Sequence, residues 1–280
     1  MKRIVKAALA GAHFVGIRSR TQLTAAVLAQ APQLAAIGCF CIGTNQVDLK
    51  AAMRLGMAVF NAPFSNTRSV AELVLGEAIM LLRGIPGKNA LVHRGGWTKS
   101  AEGSVEVRGK TLGIVGAGRI GERVAHIAQA GLAMNIIYTD VSKSAALEEK
   151  TGATYYETVD ALLPHADVVS LHVPLLPSTR HLINPDRLAK MKPSAYLVNS
   201  SRGAVIDESA LTEALKTGVI RGAALDVYEN EPKVAEGLAE LENVVLTPHI
   251  ASASIEARSA MAEVAAKNIK IGRASCRERV

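Results

Sequence analysis

Short apolar runs alternate with helical patterns along most of this chain. The runs are continuous rather than interrupted by polar residues at every second position, which is typical of parallel strands covered on both faces. They predict strands over residues 12–17, 34–41, 58–60, 111–115, 135–139, 167–171, 195–199, 222–225 and 244–246. The repeated alternation of strand and helix predicts an α/β fold with a doubly wound parallel sheet.

Apolar residues at helical spacing lie between these runs. They predict helices over residues 23–30, 48–55, 69–83, 119–131, 186–191 and 208–217. Residues 86–108 have weak periodicity and several glycines, so we interpret them as a connection before a second series of strands and helices. We therefore expect two lobes, one over 66–250 and a smaller one formed by 1–65 and a returning helix over 251–270.

Composition and charge narrow the class of protein. The 280 residues are 49% hydrophobic and 20% charged, as in a globular rather than a disordered protein. The formal net charge of +7 suggests a nucleic-acid partner, but aromatic residues make up only 4%, so few side chains could stack on bases. No apolar run reaches the roughly 18–20 residues that a membrane helix needs. We therefore expect neither a nucleic acid nor a membrane as a partner.

The cysteines and the two ends of the chain indicate its setting. Three cysteines exclude a disulfide framework, and the N-terminus has no signal-peptide pattern, which predicts a cytoplasmic protein. No metal site is expected. Residues 271–280, IGRASCRERV, resemble a translated sequencing-adapter oligonucleotide. We expect them to be a non-native tail and leave them out of the predicted fold.

A glycine-rich turn joins the strand over 111–115 to the following helix. Gly116, Gly118 and Gly121 form a GxGxxG motif, which allows a tight turn, close approach of a pyrophosphate and close packing of helix on strand. The N–H groups at the start of the helix can bind phosphates. Asp140, 19 residues after Gly121, suits the hydroxyls of a ribose and repels a 2′-phosphate. The pattern predicts NAD rather than NADP; the alternative is an ordinary turn without a ligand.

Three polar residues each follow the end of a predicted strand. Arg202, Glu231 and His249 should meet at the sheet edge where open parallel sheets bind ligands. Hydride transfer to a 2-keto acid uses these types: arginine fixes the carboxylate or keto oxygen, histidine supplies the proton, and glutamate orients the imidazole and raises its pKa. The alternative is a surface arginine, a loop acid and a packed histidine without a common role.

Together these motifs resemble one known family. The glycine turn with Asp140, LHVPLLPST, NSSRG, DVYENEP and TPH are similar to the D-isomer-specific 2-hydroxyacid dehydrogenases. The resemblance implies that Arg202 orients the substrate, Glu231 is the partner acid, His249 is the proton donor and Asp226 lies near the nicotinamide amide. The residues expected to bind NAD are Gly116, Gly118, Arg119, Ile120, Gly121, Asp140, Val173, Pro174, Ser200, Ser201, Arg202, Asp226 and His249.

The N-terminal third resembles the bacterial phosphoglycerate dehydrogenase branch of this family, through residues 16–21, 37–48, 60–72 and 93–99. Arg18 and Arg20 lie on one face of an extended segment, where two cations suit a phosphate; the alternative is a solvated edge pair. The expected substrate-binding residues are Arg18, Arg20, Asn66, Lys99 and Arg202. Lys99 could come from a neighbouring subunit, so we expect a homodimer or homotetramer acting on a small anionic 2-hydroxy or 2-keto acid.

The resemblance implies a Rossmann NAD-binding domain over 66–250 and a smaller flavodoxin-like substrate domain over 1–65 and 251–270. The first strand and helix of the family's substrate domain are absent, so we expect this domain to be incomplete and the chain to aggregate or bind NADH weakly. The implied reaction is oxidation of 3-phospho-D-glycerate to 3-phosphooxypyruvate, which begins L-serine biosynthesis. The alternatives are a glyoxylate or hydroxypyruvate reductase and a non-catalytic NAD-binding corepressor of the same fold.

Overall fold

The computed structural model describes residues 9, 11–18, 21–63 and 65–277, with side chains as far as residue 268. The chain divides into two compact units, Met1–Asn66 with Ala253–Val280, and Thr67–Ser252. Within the described residues, no helix combines the length and the apolar character needed to cross a bilayer.

The described strands and helices follow one another in α/β order. The strands are β1 Phe14–Ile17, β2 Ala36–Cys39, β3 Ala58–Phe60, β4 Thr111–Val115, β5 Asn135–Thr139, β6 Thr154–Tyr155, β7 Val168–Leu171, β8 Tyr196–Asn199, β9 Gly222–Leu225 and β10 Val244–Leu246. The α-helices are α1 Ala25–Leu28, α2 Leu49–Arg54, α3 Thr67–Leu82, α4 Ile85–His93, α5 Arg119–Leu132, α6 Ala145–Thr151, α7 Val159–Leu162, α8 Pro185–Leu188, α9 Glu208–Thr217 and α10 Ile255–Arg277.

The smaller unit is built on the parallel sheet β1-β2-β3. Its core contains Leu23, Leu28 and Ile37, which are completely buried. Asp48 begins α2 because its carboxylate accepts the N–H of Ala51 at 2.9 Å, a common way to satisfy a free donor at a helix start.

The larger unit is built on a seven-stranded parallel sheet with the order β10-β9-β8-β7-β4-β5-β6. The chain leaves β4 towards β5 on one side and later returns to β7 on the other, so the strand order reverses beside β4, where such sheets bind ligands. One buried cluster contains residues of α3 and α5, and another contains residues of α7, α8 and α9. This topology confirms the predicted doubly wound parallel α/β fold.

Three parts of the predicted fold need correction. The segment 86–108 is not an unbroken connection, because α4 occupies Ile85–His93; this helix has no buried residue and therefore no apolar stripe to reveal it. The short elements β6, α6 and α7 were not predicted, since each is too brief for a periodic pattern. The last helix continues past 270 to Arg277, through a stretch that contains alanine and arginine, both strong helix formers.

Candidate active site

The glycine turn between β4 and α5 leaves room at one position and none at two others. Gly116 has φ +97°, and a Cβ there would lie 2.9 Å from the carbonyl carbon of His172. A Cβ on Gly121 would collide with the carbonyl oxygen of Gly116, so the helix can pack on the strand only with glycine there. Gly118, at the N-cap of α5, faces open space. The turn therefore offers an uncovered helix N-terminus, as a dinucleotide pyrophosphate requires.

Asp140 follows β5 and is tied to this turn. Its carboxylate accepts the N–H of Ala117 at 2.6 Å and that of Val141 at 2.6 Å. The acid therefore stands beside the phosphate-binding turn at the end of the second strand. Arg119 and Ile120 occupy the first turn of α5, and Val173 lies against Gly116, so these predicted cofactor residues border the same turn.

Glu231 and His249 form a hydrogen-bonded pair. Nδ1 of His249 is 2.9 Å from Oε2 of Glu231, and the other carboxylate oxygen accepts the N–H of Tyr228 at 3.3 Å. About half of the His249 side chain is exposed. With Nδ1 bonded to the carboxylate, Nε2 is the ring nitrogen available to exchange a proton with a ligand.

Asp226 holds the segment that carries His249. It is completely buried at the end of β9. Its carboxylate accepts three hydrogen bonds, from the hydroxyl of Thr247 at 2.6 Å, the N–H of Ile250 at 2.7 Å and the N–H of Ala251 at 2.8 Å. The carboxylate thus fixes the chain on both sides of the histidine. Its contact with a nicotinamide amide stays a prediction.

The turn after β8 presents Arg202. Buried Asn199 shapes it, because its amide donates to the carbonyl of Arg202 at 3.0 Å and accepts the hydroxyl of Ser201 at 2.8 Å. The guanidinium of Arg202 donates to the carbonyl of Ser201 at 2.6 Å and is exposed. Within the described residues, no hydrogen bond joins it to Glu231 or His249. The structure therefore brings Glu231 and His249 together, whereas the guanidinium of Arg202 is exposed and bonded to the backbone of its own turn.

The predicted substrate residues belong to both units. Arg18 is exposed directly after β1, and Arg20 lies outside the described residues. The amide oxygen of Asn66 is buried and accepts no hydrogen bond from the part of the chain that the structure describes. In the larger unit, Lys99 is exposed and lines a cavity of about 500 Å³ with Arg83 and Lys88.

Two titratable groups near these strand ends were missed. His172 follows β7, and its Nε2 is 2.9 Å from the hydroxyl of Ser170; burial lowers its pKa to about 4, so the ring is neutral. Glu77 of α3 is only 2% exposed, and burial together with the charge of Asp226 raises its pKa to about 7. A glutamate between the apolar positions Val74 and Leu81 of α3 was the signal that could have revealed it.

Comparisons with known proteins cover most of the chain. Residues 75–251 match the family described as D-isomer specific 2-hydroxyacid dehydrogenase, NAD binding domain. The D-3-phosphoglycerate dehydrogenases of Haemophilus influenzae and Escherichia coli K12 are 51% and 49% identical over 272 residues. These matches cover 95% of this chain, which spans 65% of the length of either relative.

Solved structures of related proteins have the same fold. A putative D-isomer specific 2-hydroxyacid dehydrogenase from Polaromonas gives a TM-score of 0.92 at 31% identity, covering 98% of this chain and 87% of that one. The D-lactate dehydrogenase of Lactobacillus jensenii, solved with NAD+, gives a TM-score of 0.81 at 30% identity, covering 94% of this chain and 83% of that one.

Proposed function

Because the chain belongs to the D-isomer specific 2-hydroxyacid dehydrogenases, we propose that it catalyses the reversible, NAD-dependent oxidation of 3-phospho-D-glycerate to 3-phosphooxypyruvate. The family match confirms the family predicted from the sequence and NAD as its cofactor. The observation that carries the choice of substrate is the identity of about half of all residues to D-3-phosphoglycerate dehydrogenases over 95% of this chain. The reaction would begin L-serine biosynthesis.

In this proposal the Glu231–His249 pair moves the proton of the reaction. When bound, NAD+ would accept the hydride from the substrate. During oxidation, Nε2 of His249 accepts the proton of the substrate's 2-hydroxyl group. During reduction, it donates a proton to the keto oxygen. The carboxylate of Glu231, 2.9 Å from Nδ1, holds the ring in the required tautomer and stabilises the imidazolium that forms. Arg202, with its exposed guanidinium, binds the substrate carboxylate through its planar fork.

The cofactor would bind along the edge formed by the glycine turn and Asp140. The open side of Gly118 and the N–H groups at the start of α5 suit the pyrophosphate. Asp140, already placed beside the turn, would accept the ribose hydroxyls and repel the 2′-phosphate of NADP.

Binding the phosphate of the substrate requires cationic side chains in addition to Arg202. We assign this role to Arg18 and Arg20, with Asn66 as a polar contact and Lys99 as a contribution from a neighbouring subunit. Trp97, two residues before Lys99, is 83% exposed, which supports contact with another copy of the chain. A homodimer or homotetramer in the cytoplasm fits these assignments.

Turnover of a panel of 2-keto acids with NADH tests the function. We expect kcat/KM to be highest for 3-phosphooxypyruvate. A preference for glyoxylate or hydroxypyruvate would assign the chain to the reductases of the family, a reading favoured by the glyoxylate reductase of Paecilomyces thermophila, whose structure gives a TM-score of 0.85. NADH binding without turnover of any 2-keto acid would indicate a corepressor and overturn the proposal.

A further inference from the structure

A second buried carboxyl lies beneath the strand ends of the larger unit. Glu77 projects from α3, which packs against β8, β9 and β10. One of its oxygens, Oε1, is 3.4 Å from the hydroxyl oxygen of Thr247. Among the described residues the other oxygen, Oε2, and the hydroxyl of Ser200 are both buried without a well-formed hydrogen bond, and Ser200 lies close enough to favour the charged form of Glu77. The roles assigned to Arg202, Glu231 and His249 do not use this acid.

The Thr247 hydroxyl lies between Asp226 and Glu77, and its single hydrogen determines which of these two acids must carry a proton. The Thr247 hydroxyl has one hydrogen, and its 2.6 Å bond to Asp226 uses it. The oxygen of Thr247 can then only accept a hydrogen from Glu77. A bond between Glu77 and Thr247 therefore requires that the carboxyl of Glu77 carry a proton.

The partners of the two acids show which one is ionised. Asp226 accepts two backbone N–H groups and a hydroxyl, and such a set favours the carboxylate. Glu77 receives no backbone donor among the described residues, and the hydroxyl of Ser200 is the group besides Thr247 that favours a charge on it, against three donors on Asp226. Two carboxylates joined through one hydroxyl also repel each other. The negative charge therefore stays on Asp226 and the proton on Glu77.

We propose that Glu77 is a positioning residue that is protonated at mildly acidic pH and, by donating to Thr247, completes the network through which Asp226 fixes the segment carrying His249. The proposal rests on the proposed function, because it concerns the placement of the histidine assigned to proton transfer. Burial raises the pKa of Glu77 to about 7, with a further contribution from Asp226. Among the described residues, Asp226 and Tyr228 are the titratable groups that interact with it from the elements around α3.

Three variants test the proton on Glu77. Glu77→Gln keeps the shape and a hydrogen donor but cannot ionise, whereas Glu77→Ala removes the donor. Glu72→Gln makes the same chemical change on the same helix, where the side chain is 56% exposed, and serves as the matched control. The infrared stretch of a protonated carboxyl should be present at pH 6 in the wild-type protein and in Glu72→Gln, and be absent in Glu77→Gln.

The pH dependence of unfolding gives a second measurement. The pKa of Glu77 is about 7 in the fold and near 4.5 in the unfolded chain, so its stabilising effect is present below pH 4.5 and is lost as the pH rises through 7. Between pH 5 and pH 8 the unfolding constant of the wild-type protein should therefore rise on the order of a hundredfold more than that of Glu77→Gln. Glu72→Gln should follow the wild-type curve, because all other groups titrate alike.

The kinetic measurement links the proton to the histidine. Measured at pH 6 with 3-phosphooxypyruvate, kcat of Glu77→Ala should fall about tenfold with little change in KM, and Glu77→Gln should recover most of the loss. The proposal is overturned if the infrared signal persists in Glu77→Gln, if the unfolding curves of Glu77→Gln and wild type coincide, or if Glu77→Ala retains wild-type kcat. If neither the wild-type protein nor any variant turns over a 2-keto acid, the proposed function fails. The infrared and unfolding measurements still determine whether Glu77 is protonated.

Discussion

The replacement Asp226→Asn exchanges one carboxylate oxygen for an NH2 group. The carboxylate accepts the three hydrogen bonds that hold the segment carrying His249. Oδ1 of Asp226 accepts Thr247 and Ile250, and Oδ2 accepts Ala251, all at 2.6–2.8 Å. An asparagine can keep only one of these oxygens, and its NH2 group must then face an N–H or a hydroxyl. The substitution therefore leaves a buried donor without an acceptor while preserving volume.

The expected cost follows from the three bonds. Each bond to a charged acceptor contributes roughly 1.5–3 kcal/mol, against about 0.5–1.5 kcal/mol for a neutral one. Losing one bond and weakening two amounts to about 4 kcal/mol, and removal of the buried charge offsets part of this. We expect the free energy of unfolding to fall by about 2–4 kcal/mol.

Urea unfolding followed by circular dichroism measures this change. Tryptophan fluorescence is a poor probe, since Trp97, the only tryptophan, is 83% exposed. Asp186→Asn, an exposed acid on α8, is the matched control and should change the free energy by less than about 0.5 kcal/mol. If Asp226→Asn proved as stable as this control, the buried carboxylate would not hold the loop and the reasoning would fail.

Three further predictions concern the proposed site. His249→Ala should lower turnover at least about a hundredfold, the scale of a lost general acid, with NADH affinity almost unchanged by titration; near-normal turnover would remove the histidine from the mechanism. Asp140→Ala should reduce the ratio of kcat/KM for NADH to that for NADPH, and an unchanged ratio would mean that another group selects the cofactor. Replacing Arg18 and Arg20 together by alanine should raise KM far more for 3-phosphooxypyruvate than for hydroxypyruvate, at about 1.5–3 kcal/mol per lost bond; equal losses would give the arginines a structural role.

The sequence was most informative about reactive side chains that directly follow the ends of predicted strands. In a parallel sheet the carboxyl ends of the strands share one edge, so residues just past β8, β9 and β10 could be grouped before any coordinates. The structure places Glu231 and His249 within 2.9 Å of each other. The glycine turn was equally readable, since a strand, three glycines and a helix occur in order.

Other features depend on contacts that no local pattern records. The helix α4 has no fully buried residue, so its sequence lacks the apolar stripe that identifies a helix. The position of Glu77 among apolar residues of α3 indicates burial, but its neighbours are known only once α3 is packed against residues about 170 positions later in the chain. The charge state of such an acid is set by its neighbours, and its neighbours are set by the fold.

The contacts of α3 with the segment after β10 also constrain the order in which parts of the chain can fold during synthesis. Glu77 and Thr247 are separated by 170 residues, and the contact of Ser69 with Ala251 spans 182. At about 5–20 residues per second, a ribosome needs on the order of ten to thirty seconds to cover that interval. During this time α3 can find α5 but not the segment that carries His249. A nascent chain could thus build its nucleotide turn well before its proton-transfer group was in place, so chemistry would begin only when synthesis of this unit was complete.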